Sequence, residues 1–398
     1  MTERPLLSHL ECGRCRTYYD AQAIRHLCRC GAPLLARYDL DRLDGPAWRA
    51  ELRARPPGLW RYSEVLPVAP EEQRLTLGEG STPLLKARPG NARKLRPQQL
   101  HFKWEGDNPT GSFKARGMAV AVSKAWELGA RRFVVPTAGN AGVAAAAYVQ
   151  AAGGELDVFM PADTDPAFFE AARGYGAHVH SVDGLISDCG RAAGRLADLG
   201  AYDLSTLKEP YRLEGKKTMG YELWEQGNGI LPNVIVYPTG GGTGLIGMWK
   251  AFGELDRLGL LSGPKPRMVA VQMEGCAPMV RAFEAGAVHA QPWPDARTDV
   301  LGLRVPGAVG DFLILQALFE SHGTAVAVEE EAAFAATAEL FNRYGLAGAP
   351  EDGAALAALE LLCARGWIRP VEYVVVFLTG SAALYRNILL RLEIALGN

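Results

Sequence analysis

The sequence predicts an α/β protein: two three-layer α/β/α lobes with open, mostly parallel sheets, plus a small N-terminal cysteine-rich knuckle. Three observations carry this. From His101 to about Ser205, short apolar runs alternate with amphipathic or alanine-rich stretches of helical length, as in strands joined by helical crossovers. A second such series starts near Glu209 and is punctuated by the glycine run Pro238–Gly244. The length of 398 residues suits two lobes with an appendage. The expected division is an appendage over 1–40, a smaller α/β domain over 98–205, and a larger one built from 41–97 and 206–398.

Composition narrows the function classes. Hydrophobic residues make up 48% and charged residues 22%, as in soluble globular chains. The formal net charge of -2 gives no electrostatic footprint for nucleic acid or an anionic membrane. The start, MTERPLLSHLECGRC, has no basic segment followed by an apolar run, and tracts such as Val374–Leu378 are strand-sized rather than membrane-spanning. A cytoplasmic protein is expected. Cys189, Cys276 and Cys363 are scattered and read as reduced core residues.

Cys12, Cys15, Cys28 and Cys30 form C-x2-C and C-x-C pairs, each followed by turn residues. Such thiolate pairs can close a tetrahedral zinc site on a small ribbon. The second pair is one residue shorter than the usual C-x2-C, so structural zinc and a metal-free knuckle both stay open. His26 is read as a surface polar residue. Residues 38–71 follow as a helix-and-linker lead-in. Then Leu77-Gly-Glu-Gly-Ser-Thr-Pro-Leu-Leu85 sets glycines, hydroxyls and a proline in a tight loop entering a strand.

Lys114 stands at the centre of the next stretch. His101–Trp104 reads as a strand, a Gly/Asn/Pro/Thr turn follows, and Ser112 is the expected N-cap of a helix with Lys114 in its first turn. There the helix dipole and nearby cations work against an ammonium, and a partly buried lysine can act as an amine nucleophile. Phe133–Val135 is the next strand, and the loop Thr137–Gly142 connects it to an alanine-rich helix. Open α/β sheets bind ligands at such carboxyl ends of strands. The glycines let the backbone come close, the amides can take a carboxylate, and Asn140 supplies the loop's side-chain amide. Strands Asp157–Met160 and His178–Val182 and helices Pro166–Tyr175 and Ile186–Leu199 complete the unit.

In the second unit Arg212, Lys216 and Lys217 fall just before a predicted helix, either to meet an anionic substrate group or as solvated charges. Strand Val234–Tyr237 then runs into Pro238-Thr-Gly-Gly-Gly-Thr-Gly244 and helix Leu245–Leu258. Consecutive glycine amides at a helix start, Gly240, Gly241, Gly242, Thr243 and Gly244, make a phosphate cradle. G-x4-G-K-[ST] is absent, G-x-G-x-x-G is out of register, and no ribose-reading acid follows, so a small phosphate monoester is expected. Later elements are strand Met268–Met273, helix Ala332–Tyr344, a helix after Ala349, and strand Tyr373–Leu378, which ends at Thr379-Gly-Ser381.

A lysine amine, a phosphate cradle, an asparagine loop and a strand-end hydroxyl together suit pyridoxal phosphate. That cofactor offers an aldehyde, a phosphate, a phenolic oxygen and a ring nitrogen, and serves as an electron sink. The G-x-S-x-G and H-E-x-x-H patterns of serine and zinc hydrolases are absent.

Asn108-Pro-Thr-Gly-Ser-Phe-Lys-Ala-Arg-Gly117 resembles the lysine motif of fold-type II pyridoxal-phosphate enzymes, most closely that of the threonine synthase family. The resemblance runs in order from the cysteine knuckle through Leu77–Leu84 to Leu378-Thr-Gly380. It implies a Schiff base on Lys114, Asn140 at the phenolic oxygen, Gly240–Gly244 at the phosphate and Thr379 facing a largely unprotonated ring nitrogen. It further implies that Thr82, Ser112, Thr137, Ala138 and Ala141 bind substrate, with amides near Thr137–Ala141 at its carboxylate, and that Arg212 binds a phosphate leaving group. The chain departs from the family pattern at Ala115, where aspartate is usual, at Ala382-Ala-Leu-Tyr385 after the terminal hydroxyls, and at Leu204-Ser-Thr-Leu-Lys-Glu209 before Arg212.

The implied activity converts O-phospho-L-homoserine and water to L-threonine and phosphate in a homodimer. A serine/threonine dehydratase, a cysteate-forming synthase acting on another phosphorylated amino acid, and a cofactor-less binding relative are the alternatives.

Overall fold

The computed structural model describes residues 6–69, 71–87 and 97–385. Two compact units result. One comprises 1–81, 108–222 and 246–260, the other 82–107, 223–245 and 261–398. The division differs from the expected one by giving 41–81, 206–222 and 246–260 to the unit that carries Lys114, and 98–107 to the other. For 206–222 and 246–260 the reason is packing of helix Tyr211–Gln226 against helix Lys114–Glu127 through glycines. A Cβ at Gly215 would stand 1.9 Å from the Arg116 carbonyl oxygen, and one at Gly117 would stand 2.9 Å from that of Arg212.

The first unit holds a parallel four-stranded sheet in the order His178–Val182, Glu155–Pro161, Arg132–Pro136, Tyr202–Asp203. The chain steps outward from Arg132–Pro136 through two strands and then returns to its other side. That makes the gap between Arg132–Pro136 and Tyr202–Asp203 the sheet's topological switch point. Loop 137–139 leaves one of these strands and segment 204–210 leaves the other. Asp165 caps its helix by accepting from the Ala167 amide, with Pro166 in the first turn, and Gly153 at φ +76 ends helix Asn140–Ala152. The knuckle is a three-stranded antiparallel sheet of Leu7–Cys12, Tyr18–Tyr19 and Leu34–Tyr38.

The second unit is built on a six-stranded sheet. Its order is Thr324–Val328, Arg267–Met273, Val234–Pro238, Tyr373–Leu378, Gln99–Trp104, Leu84–Lys86, with only the last strand antiparallel. Val234–Pro238 is buried throughout, as a central parallel strand covered on both faces should be. Helix Pro350–Ala364 packs across four of the strands. The core joins Val234, Val236, Val269, Val271, Val374 and Val376 to Ala355, Leu356 and Leu359. Here the order reverses between Val234–Pro238 and Tyr373–Leu378, so the glycine run and Thr379 leave adjacent strands at one switch point. Among the described residues no helix is long and apolar enough to cross a membrane.

Candidate active site

Lys114 opens helix Lys114–Glu127 and is half-buried. A tight turn delivers it: the Gly111 amide donates to the Asn108 carbonyl at 2.7 Å, with Gly111 at φ +68. The expected N-cap does not form. Phe113 occupies the cap position without a side-chain bond, and the Ser112 hydroxyl is buried with no hydrogen-bond partner, as is that of Thr110. Two orphaned buried hydroxyls just before the Lys114 amine are what a ligand-binding loop leaves open.

Two further cations share this region. Arg212 and Lys216 lie inside helix Tyr211–Gln226, not ahead of it as the sequence suggested, and each is 1% exposed. The Lys114 Nζ is 3.7 Å and the Lys216 Nζ 5.0 Å from the centroid of the Phe113 ring. Burial, then the charges of Arg212 and Lys114, hold the Lys216 ammonium well below its ordinary range. Arg212 gives one N–H to the Leu204 carbonyl at 2.5 Å, while its Nε and Nη2 are buried without a partner. Glu209 caps the same helix, accepting from the amides of Tyr211 and Arg212, and burial pushes its carboxyl up to about 7 against the pull of Arg212. Lys217 is structural instead: it is buried among Glu214 and Glu254 at 2.8 and 3.0 Å.

At the unit's switch point the Thr137 hydroxyl accepts from the amides of Gly139 at 3.1 Å and Gly142 at 3.2 Å. It shapes the loop. Gly139 stands at φ +137, and a Cβ there would meet the Phe168 ring at 3.2 Å. Asn140 heads helix Asn140–Ala152, half-buried, with Ala141 beside it in the first turn, where amides lack intrahelical acceptors.

In the other unit the glycine run begins one residue after strand Val234–Pro238 and enters helix Thr243–Arg257. The run tolerates no side chains. A Cβ at Gly240 would lie 2.5 Å from the Gly302 carbonyl oxygen, Gly242 has φ +76, and a Cβ at Gly244 would lie 1.9 Å from the Tyr237 hydroxyl. Gln272, which the sequence did not single out, braces it by donating to the Thr239 carbonyl at 3.2 Å. Backbone amides packed this closely at a helix start are a fitting seat for a phosphate. Thr379, at the end of the neighbouring strand, is buried and bonded to Asp352. Thr82, expected to bind substrate, is buried and donates its hydroxyl to Glu105 at 2.6 Å.

The four knuckle sulfurs lie within 4.8 Å of one another, despite the short second pair. His26 is not the surface residue the sequence suggested: it is half-buried, takes the Asp203 amide at 3.2 Å and packs 4.8 Å from the Tyr202 ring.

An amine on a helix start, a backbone phosphate seat, and loops at the switch points of two parallel sheets define a class. Residues 75–380 match the family model described as pyridoxal-phosphate dependent enzyme, and the chain belongs to that family. Within it the chain groups with the threonine synthases. That of Methanocaldococcus jannaschii is 33% identical over 371 residues, covering 93% of this chain and 91% of that protein. That of Methanosarcina acetivorans is 34% identical over 94% of this chain and 91% of that protein. Among solved structures, a T.th. threonine deaminase is 28% identical with a TM-score of 0.63, covering 75% of this chain and 92% of that one. Maize serine racemase, at 21% identity and a TM-score of 0.65 over 79% and 93% of the two chains, shares the fold. The fold is that of the fold-type II pyridoxal-phosphate enzymes.

Proposed function

We propose that the chain is a threonine synthase, converting O-phospho-L-homoserine and water to L-threonine and phosphate. Lys114 would hold the cofactor at its aldehyde carbon and, once the substrate's amine has taken its place there, its free amine would move protons at the substrate carbons. Asn140 would donate to the phenolic oxygen, the amides of Gly240–Gly244 would hold the phosphate, and Thr379 would face the ring nitrogen. When bound, pyridoxal phosphate withdraws electrons from the substrate's α-carbon, which lets protons leave and phosphate depart from the γ-carbon. The amides of Ala138 and Ala141, with the Ser112 hydroxyl, receive the substrate carboxylate and orient it.

One observation carries the substrate assignment. The buried Arg212 guanidinium keeps Nε and Nη2 unbonded beside the buried Lys216, one turn along the helix. A desolvated guanidinium with uncommitted donors, one turn from a buried amine, calls for an anion even beside the Glu209 and Asp203 carboxylates, and a phosphate monoester supplies the charge and acceptors that a plain hydroxy amino acid lacks. The test follows phosphate and threonine from O-phospho-L-homoserine against 2-oxobutyrate from threonine. Stoichiometric phosphate and threonine support the reading. Rapid keto-acid formation without phosphate release would replace it with a dehydratase.

The four thiols form a structural zinc site in the same proposal. Zinc–sulfur bonds of about 2.3 Å place tetrahedral ligands about 3.8 Å apart, and the knuckle sulfurs lie within 4.8 Å of one another. A cytoplasmic homodimer completes the reading.

A further inference from the structure

The knuckle holds the segment that leads to Arg212 at both of its ends. Strand Tyr202–Asp203 is the edge of its sheet, so the outward Asp203 amide has no strand to donate to. It donates instead to Nε2 of His26 at 3.2 Å, and the His26 ring packs 4.8 Å from that of Tyr202. At the other end the Tyr211 hydroxyl donates to the Ala21 carbonyl at 3.2 Å. Ala21 and His26 belong to one knuckle loop, the stretch between strand Tyr18–Tyr19 and Cys28.

Between these two points the chain makes the turns that set Arg212. Leu204 gives its amide to the Val134 carbonyl at 2.8 Å and receives Nη1 of Arg212 on its own carbonyl at 2.5 Å. The Asp203 carboxylate accepts from the Ser205 amide at 2.8 Å and from the Ser205 hydroxyl. Leu207 is buried at φ +59, in the left-handed region where a leucine is strained. Such a turn keeps its shape only where its surroundings over-determine it. The Leu204 carbonyl fixes Nη1 and so aims the Nε and Nη2 that Arg212 leaves unbonded. A backbone shift at Asp203 would carry that carbonyl with it.

We propose that His26 is a positioning residue for the substrate's phosphate: by holding Asp203 it sets the Leu204 carbonyl, and through it the Arg212 guanidinium. The inference rests on Arg212 being the phosphate ligand. An amide can only donate, so Nε2 serves as the acceptor and the ring hydrogen sits on Nδ1. The role belongs to an acceptor at one place, which a glutamine amide oxygen can reproduce and an alanine cannot. The knuckle then contributes to recognition of the leaving group and not only to stability.

The test measures KM for O-phospho-L-homoserine and, by calorimetry, inorganic phosphate binding to the holoenzyme. It compares wild type, His26→Ala, His26→Gln, Arg212→Ala and the double variant with alanine at both positions. His26→Ala should raise KM and weaken phosphate binding roughly tenfold, about what one buried hydrogen bond contributes, with kcat and cofactor affinity little changed. His26→Gln should restore both. In the Arg212→Ala background His26→Ala should add nothing, because the donors it aims are gone. His26→Leu fills the same space without an acceptor and keeps the comparison if the alanine variant fails to fold. A lower melting temperature with KM and phosphate affinity unchanged would make His26 a stability residue and overturn the proposal. Additive losses in the double variant would also overturn it, since His26 would then act elsewhere. If Arg212→Ala leaves phosphate affinity intact, the phosphate reading itself fails and the inference with it.

Discussion

Arg212 and Lys216 stand one turn apart on helix Tyr211–Gln226, each 1% exposed, with the Glu209 carboxylate acting on both and that of Asp203 on Arg212. A guanidinium and a second basic group held together out of water is an arrangement that folding alone does not favour. The uncommitted donors of Arg212 and the proton that Lys216 can take up are what the proposed phosphate would meet.

Replacing Arg212 by alanine removes two uncommitted donor nitrogens from that place. A hydrogen bond to a charged group contributes about 1.5–3 kcal/mol, so KM for O-phospho-L-homoserine should rise roughly 10- to 100-fold. Cofactor affinity, measured by fluorescence titration, should change little. An equal loss in both would assign Arg212 to the fold rather than to the phosphate.

Lys216 links phosphate binding to a proton. Its folded pKa lies below the ordinary lysine value of 10.5, so between the two pKa values the unfolded chain binds more protons than the folded one. Stability from this group therefore rises with pH across that window, and it falls as acid forces the buried ammonium to form. An arriving phosphate reverses the shift and draws a proton in. Calorimetry in buffers of different ionisation enthalpy should show proton uptake on binding inorganic phosphate. Lys216→Met should bind phosphate more weakly, without uptake, and melt at a higher temperature. Unchanged proton uptake in that variant would clear Lys216 of the role.

Gly240→Ala tests the cradle. The new Cβ would fall 2.5 Å from the Gly302 carbonyl oxygen, backbone that is tied in turn to Glu351. The loop must shift, and crowding of this kind costs about 1–3 kcal/mol. Cofactor affinity should drop at least tenfold while the melting temperature of the cofactor-free protein falls only modestly. Normal affinity would place the phosphate elsewhere.

The knuckle is expected to contribute stability without chemistry. Cys12→Ser should abolish stoichiometric zinc, as read by elemental analysis, and lower the melting temperature, with kcat unchanged in the protein that remains folded. The unit would feel the loss, because the Tyr211 hydroxyl donates to the Ala21 carbonyl at 3.2 Å and Lys250 donates to that of Ala36. Metal-free wild-type protein with full stability would make the knuckle a zinc-independent fold.

Much of the fold was legible in the chain because its signals are local. Glycine runs after strands mark ligand loops, and strands such as Tyr373–Leu378 and His178–Val182 fall where the apolar pattern put them. Helix Asp311–Glu320 was missed because its apolar run Phe312–Leu315 is strand-sized and unbroken, and periodicity alone does not separate such a run from a strand. Strand Thr324–Val328 is short and sits at the sheet's edge.

At the site the illegible part was burial. Charged residues read as surface by default, yet Arg116 pairs with Glu222 in the interior, and Lys217 with Glu214 and Glu254. Nothing in the sequence separates Asp352 from an ordinary first-turn acid. Only the register of helix Pro350–Ala364 against strand Tyr373–Leu378 puts it behind Thr379. Ser112 shows the converse error. Its N-cap signature is sound in sequence, but Phe113 takes the cap position, the helix starts at Lys114, and the hydroxyl is left unbonded.

Lys114 is the proposed attachment point of the cofactor, although a second amine, that of the buried Lys216, lies beside the same Phe113 ring. Borohydride reduction of the holoenzyme fixes the bond in place, and peptide mapping by mass spectrometry then locates the pyridoxyl group. A single modified peptide bearing it on Lys114 is expected. A pyridoxyl group on Lys216, or on any other lysine, would contradict it.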